Sequence, residues 1–171
     1  VLPRADIGEI EAIVFYQDNK EKFREAEQIR FAEIFIGFVG DDKRKEAKEK
    51  IDGITRQLDS GSAFEELAKM NSEAQSAVDG GELKIFAAKK DLLPEFQFLF
   101  EMRENQISKV VETATGFYLF RLLQRKSAYI PEFSEIKQEL MKRLKHEQAQ
   151  AMKTLIVQKY MQAQPFEVFI K

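Results

Sequence analysis

The sequence contains no cysteine and only one histidine, His146, in 171 residues. Without cysteine there is no disulfide, no thiolate metal site and no cysteine nucleophile. One histidine excludes a multi-histidine metal centre and leaves little room for a Ser-His-Asp triad. No apolar run approaches the ~20 residues that a helical membrane span requires. Charge of one sign is also missing. With 27 Lys and Arg against 29 Asp and Glu, the formal net charge is −2, and nothing in that balance calls for a nucleic-acid or membrane partner. The chain does hold 44% hydrophobic residues, enough for a core, and 33% charged residues of mixed sign, which fits solvated helices. Its length suits one domain, or a small domain with helical attachments. It opens on Val1 and carries no signal-peptide pattern, which reads as a piece of a longer chain.

Three zones emerge from the patterning. Residues 9–27 read as a helix, with Ile10, Ile13, Val14 and Phe23 near one side. Residues 28–126 mix short apolar runs with glycine and turn signals, an α+β texture. From Pro131, Ile136, Leu140, Leu144, Ala151 and Leu155 recur at helical spacing and predict one long helix over 132–163. That helix should stop before Pro165, and Phe166 to Ile170 reads as a short strand. The domain divisions are thus 1–27, 28–126 and 127–171.

Within the middle zone, Ile29 to Val39 is apolar and β-favouring. Ala47, Ile51, Ile54 and Leu58 mark the buried stripe of a helix that stops at Ser60 and Gly61. A short helix comes next, over Phe64 to Met70. Gly80 and Gly81 then turn the chain into a brief strand, Leu83 to Phe86. Pro94 opens a further helix, and Phe117 to Leu123 is short enough for a central strand.

In this order, the middle zone resembles the parvulin family of peptidyl-prolyl isomerases. The matching stretches are QIRFAEIFI (28–36), GSAFEELAKMNS (61–72), SAVDGGELKIF (76–86), LPEFQFLF (93–100), QIS (106–108) and TATGFYLFRL (113–122). No single piece is specific, but all of them in register are. The resemblance implies a four-stranded, mostly antiparallel sheet with surrounding helices. The helices on either side resemble the flanks of SurA-type and PrsA-type exported chaperone–isomerases. There an isomerase domain is inserted into a helical module built from both ends of the chain.

A prolyl isomerase lowers a rotation barrier of ~18–20 kcal/mol about one amide. Neither nucleophile, cofactor nor metal is needed. The work falls to an apolar cup for the proline ring and a small polar cluster for the twisted amide. By resemblance the cup is Leu83, Leu92 or Leu93, and Phe96. The polar cluster departs from the family. Glu33 and Tyr118 stand where histidines are usual, and Ala74 stands where Cys or Asp is expected. Thr113 and Thr115 keep the family's hydroxyls. Glu33 and Tyr118 could pair, the phenol donating to the carboxylate. Burial would then raise the Glu33 pKa and the hydrogen bond would lower it, with the winner open.

Other features have plainer readings. His146 and the run Asp41–Lys50 read as solvated helix faces. Phe96, Phe98 and Phe100 offer more apolar surface than one helix face can bury, so one ring is expected to stay exposed or meet a flanking helix.

Two functions of different class are implied. One is a SurA/PrsA-like folding chaperone of the periplasm or another exported compartment. It would bind unfolded or extended client polypeptides through a catalytically degenerate parvulin domain. The alternative is a working isomerase using Glu33, Thr113, Thr115 and Tyr118. An exchange of terminal helices with a second copy, giving a homodimer, is a further expectation.

Overall fold

The computed structural model describes residues 8–163, which form two units, residues 26–128 and the paired ends 8–25 and 129–163. The expected strand over 166–170 lies outside the described residues. The elements in chain order are α1 (Glu9–Asp18), β1 (Gln28–Gly37), α2 (Asp41–Asp59), α3 (Phe64–Asn71), β2 (Ala87–Ala88), β3 (Val111–Glu112), β4 (Gly116–Lys126) and α4 (Phe133–Ala163). Four 3-10 helices sit between them, at Lys20–Phe23, Gln75–Asp79, Lys89–Asp91 and Pro94–Glu101.

In the middle unit the sheet order is β2-β1-β4-β3 and every pairing is antiparallel. The long ladder between β1 and β4 organises it. Ala32, Ile34 and Ile36 of β1, with Phe117 and Leu119 of β4, pack under Ala47, Ile51 and Ile54 of α2 and Phe64, Leu67 and Ala68 of α3. The opposite face carries Ile29, Phe31, Phe120 and Leu122, which enclose Leu99 and Met102. A sheet covered on both faces explains why both strands read as continuous apolar runs. Each Ile, Leu, Phe or Met side chain among them taken fully from water is worth roughly 1.5–3 kcal/mol.

The ladder slips once, between Arg30 and Phe31, where Leu123 is the extra residue of β4. The bulge re-aims the last residues of that strand. Leu123 joins the core beneath the helices, and Arg125 comes level with Ile29. The Arg125 guanidinium then donates to the carbonyls of Phe100, at 2.9 Å, and Met102, at 2.6 Å, and pairs with Glu27.

The segment 83–86 forms no strand, contrary to expectation. Gly80 and Gly81 both have φ in the left-handed region. The chain then touches β1 by single bonds: Glu33 N–H to the Gly81 carbonyl, 2.8 Å, and Leu83 N–H to the Phe31 carbonyl, 3.0 Å. Pairing resumes only at Ala87 and Ala88. A Cβ on Gly81 would lie 2.2 Å from the Glu33 carbonyl oxygen, so the close crossing itself demands glycine. The helix opened by Pro94 is 3-10 throughout, and Phe96, Phe98 and Phe100 all pack half-buried on the second core. None of the three rings is left in solvent.

The terminal unit pairs α1 with α4. Its core is Ala12 and Tyr16 against Leu140 and Leu144, rimmed by Phe15, Phe23, Phe133, Ile136 and Met141. The expected stripe of α1 is displaced: Ile10 is 77% and Val14 54% exposed. Helix α1 also ends at Asp18, short of residue 27. The Asn19 side-chain amide donates to the Phe15 carbonyl at 2.8 Å, and the next turn, a 3-10 helix, brings Phe23 to 5.5 Å from the Tyr16 ring. On α4, Ala151 and Leu155 of the predicted stripe are exposed. A partner helix of 10 residues cannot cover one of 31. His146 is exposed, as its surroundings predict.

The buried Tyr16 hydroxyl donates to the Pro131 carbonyl at 2.8 Å. Tyr16→Phe leaves that acceptor without its partner and should cost about 1–3 kcal/mol in a urea melt read on the terminal unit. At the end of the β1–β4 ladder, Gly116 lies opposite Gly37. A Cβ on Gly116 would meet the Phe35 ring at 2.3 Å and the Ile36 carbonyl at 2.5 Å. Gly116→Ala should therefore cost about 1–3 kcal/mol and shift the Phe35 ring resonances in an NMR spectrum.

Candidate functional site

The face of the sheet away from α2 and α3 carries Phe31, Glu33 and Phe35 on β1 and Tyr118, Phe120 and Leu122 on β4. Strand alternation puts all of them on one side. The rings interlock. Phe35 meets Tyr118 at 4.6 Å between centroids, Tyr118 stacks on Phe120 at 5.5 Å, and Phe96 stands edge-on to both, at 5.0 and 4.9 Å. Such offset and edge contacts are the favourable arrangements of aromatic quadrupoles. Leu83, Leu92 and Phe96 all pack half-buried against this cluster. Leu93 is 57% exposed and lies outside it, so Leu92 is the leucine of the pair that reaches the aromatic face.

Three rings of this face, Phe31, Phe35 and Phe120, are not among the residues that the sequence singles out. The signal is nonetheless present. Each lies two residues along a strand from a named position, Glu33 or Tyr118, and the strand period of two places it on the same side.

The polar residues sit at the edge of the rings. Glu33 is partly buried, and its carboxylate accepts a hydrogen bond from the Ser76 hydroxyl at 3.1 Å. Burial drives its pKa above the usual carboxylate range, and the Ser76 hydrogen bond offsets only part of that. The expected phenol–carboxylate hydrogen bond is not formed. Glu33 lies opposite Phe120 and Phe35 opposite Tyr118, so Glu33 and Tyr118 are diagonal neighbours. The Tyr118 ring is held in the stack on Phe120, and the Glu33 carboxylate is turned to Ser76 instead. Their coupling is electrostatic. Burial foremost, then the Glu33 charge, raises the Tyr118 pKa, while a hydrogen bond with the Thr115 hydroxyl pulls the other way.

Thr113 and Thr115 come together at the turn into β4. Their hydroxyl oxygens are 3.4 Å apart, and the Thr113 hydroxyl donates to the Gly116 carbonyl at 3.0 Å. Ala74 lies in a loop fastened along the free edge of β1. The Ser72 hydroxyl accepts from the N–H groups of Phe35, at 3.0 Å, and Ala74, at 3.3 Å. Glu73 pairs with β1 on both sides, donating its N–H to the Phe35 carbonyl at 2.8 Å and accepting from Gly37 N–H at 3.0 Å. The loop thus holds position 74 beside the β1 backbone at Phe35, where the Ala side chain supplies no polar atom.

Chemically, this arrangement offers an apolar and aromatic face, one carboxylate of raised pKa and a pair of hydroxyls. It contains no nucleophile–base pair. Among the described residues no group of three His, Cys, Asp or Glu is placed to hold a metal ion, and no helix is long and apolar enough to cross a membrane.

Comparison with known proteins gives the same frame. Residues 15–126 match the PPIC-type PPIase domain model. The chaperone SurA of Hahella chejuensis is 28% identical over 97% of this chain and 39% of its own length. The foldase protein PrsA 2 of Bacillus cereus is 34% identical over 60% of this chain and 34% of its own. The chain therefore spans well under half the length of these relatives. Among solved structures, one from work on two SurA-like chaperones of Campylobacter jejuni has a TM-score of 0.66 at 24% identity, covering 94% of this chain and 64% of that one. A crystallised PpiC-type peptidyl-prolyl cis-trans isomerase domain has a TM-score of 0.55 at 26% identity, over 61% of this chain and 95% of that one. With the family model matched over the whole sheet, and with SurA and PrsA proteins as its relatives, the chain belongs to the parvulin, or PPIC-type, peptidyl-prolyl isomerase domain family.

Proposed function

We propose that this chain is part of an exported, SurA/PrsA-like folding chaperone whose parvulin domain holds unfolded or extended client polypeptide and turns over little or not at all. One contrast carries the reading. Leu83, Leu92, Phe96 and Tyr118 lie together on the aromatic face, as a proline recess would need, while the polar positions that would serve the twisted amide are occupied otherwise. Glu33 is engaged by Ser76, position 74 is alanine, and Tyr118 is committed to a ring stack. A holding protein needs an apolar groove and weak, reversible contacts, and it has no need of that polar cluster. The exported compartment is inferred from the SurA and PrsA relatives. A second copy exchanging terminal helices would cover Leu155, Val157, Tyr160 and Met161, which α4 leaves exposed.

A second reading, an active isomerase, has one observation in its favour. The hydroxyl oxygens of Thr113 and Thr115 stand 3.4 Å apart, and Thr115 also acts on the Tyr118 phenol. That group could serve the swinging carbonyl.

A protease-free isomerisation assay on an Ala-Pro or Leu-Pro peptide separates the two. Loss of ~3–4 kcal/mol of polar stabilisation removes a factor of several hundred in rate. The expected outcome is a rate close to the uncatalysed ~10–100 s exchange, together with suppressed aggregation of an unfolded client. Strong acceleration that Phe96→Ala abolishes would establish the isomerase instead.

Glu33 provides a pH test. Its folded-state pKa lies above the ordinary 4.5, so its contribution to stability is fully present below that value and is lost as pH rises through the raised one. Glu33→Gln, which keeps an acceptor for Ser76, lacks this loss. Urea melts at a series of pH values should show the variant gaining on the parent as pH rises from about 4.5. A difference that stays flat across that window would mean that Glu33 titrates normally.

A further inference from the structure

Two carboxylates flank the outer ring of the aromatic recess with no cation to answer them. Glu33 approaches Tyr118 from the diagonal position on β1. Glu95 lies on the 3-10 helix, one residue before Phe96, whose ring stands against Tyr118. Both charges act on the phenol. The cations of the neighbourhood are already engaged: Lys43 with Glu46 at 2.8 Å, Lys50 with Glu73 at 3.3 Å, and Lys84 with Asp79 at 2.8 Å. Lys89 and Lys90, on the turn before Leu92, are exposed to solvent. Among the described residues neither Glu33 nor Glu95 forms an ion pair.

We propose that this recess selects clients with Lys or Arg beside the proline, the cation lying between Glu33 and Glu95. The inference rests on the reading of the recess as a client-proline site. Two physical terms favour such a side chain. Its aliphatic stem covers apolar surface while its head stays polar. The half-buried rings of Phe35 and Tyr118 add to the apolar surface that such a stem can cover. The carboxylates attract it across a partly desolvated surface, where charges interact more strongly than in bulk water. An acidic or phosphorylated residue at the same place is repelled by both carboxylates.

The test is a fluorescence titration of the protein with three peptides alike except for Lys, Ala or Glu before the proline. At low salt the Lys peptide should bind about tenfold more tightly than the Glu peptide, the combined scale of two partly exposed charge pairs. High salt should shrink that ratio. Glu95 is exposed, so Glu95→Gln tests its charge without threatening the fold, and it should narrow the ratio by itself. With Glu33→Gln added, the ratio should fall to within about twofold. Phe96→Leu, milder than Phe96→Ala, should weaken all three peptides together. Equal or reversed affinities that still depend on Phe96 would overturn the charge selection and leave the client site standing. Absence of any Phe96-dependent binding would overturn both.

Discussion

Everything in the middle unit depends on the antiparallel ladder between β1 and β4. It is the one long pairing in the sheet, running from Gln28 opposite Lys126 to Gly37 opposite Gly116. Because alternate side chains leave a strand on opposite sides, one ladder supplies both cores. Its even-numbered β1 residues anchor α2 and α3, and its odd-numbered ones build the aromatic face. A shift of register by one residue would exchange the two sets. The single bulge, at Leu123, is the exception that lets Arg125 reach the end of the 3-10 helix carrying Phe96.

Much of this was legible because periodicity is a direct consequence of burial. The apolar stripe Ala47, Ile51 and Ile54 is buried on α2 as its spacing demands, and the strand run from Ile29 is found as β1. The errors have local causes. Leu83 to Phe86 alternates like a strand, yet two left-handed glycines before it fix a path that meets β1 only at single bonds. In α1, Ile10 and Val14 look like core because they are apolar. Which face is buried was set instead by Tyr16, whose hydroxyl needed the Pro131 carbonyl from the far end of the chain. A partner 115 positions away leaves no trace in a local window.

The site was legible in part for the same reason. The rings could be placed by period and resemblance, but the fate of the Glu33 carboxylate could not. Ser76, 43 positions from Glu33, makes the hydrogen bond that Tyr118 could have made. That choice turns on a loop stitched to the β1 edge through Ser72 and Glu73, whose side chains replace a neighbouring strand. Polar partners depend on distances of tenths of an ångström, whereas apolar partners need only share a side of the sheet.

The opposed pair Gln28 and Lys126 has one more consequence, concerning the two ends of the chain. The middle unit begins and ends at neighbouring points of one ladder, so when folded it behaves, for the rest of the chain, as a short staple. Unfolded, it becomes a floppy tether of about a hundred residues between α1 and α4, and closing such a tether costs on the order of 4 kcal/mol in entropy. The helix pair and the sheet unit are thereby coupled thermodynamically through chain connectivity alone. Melting the inserted unit would loosen the helices that host it, without any contact having to break between them.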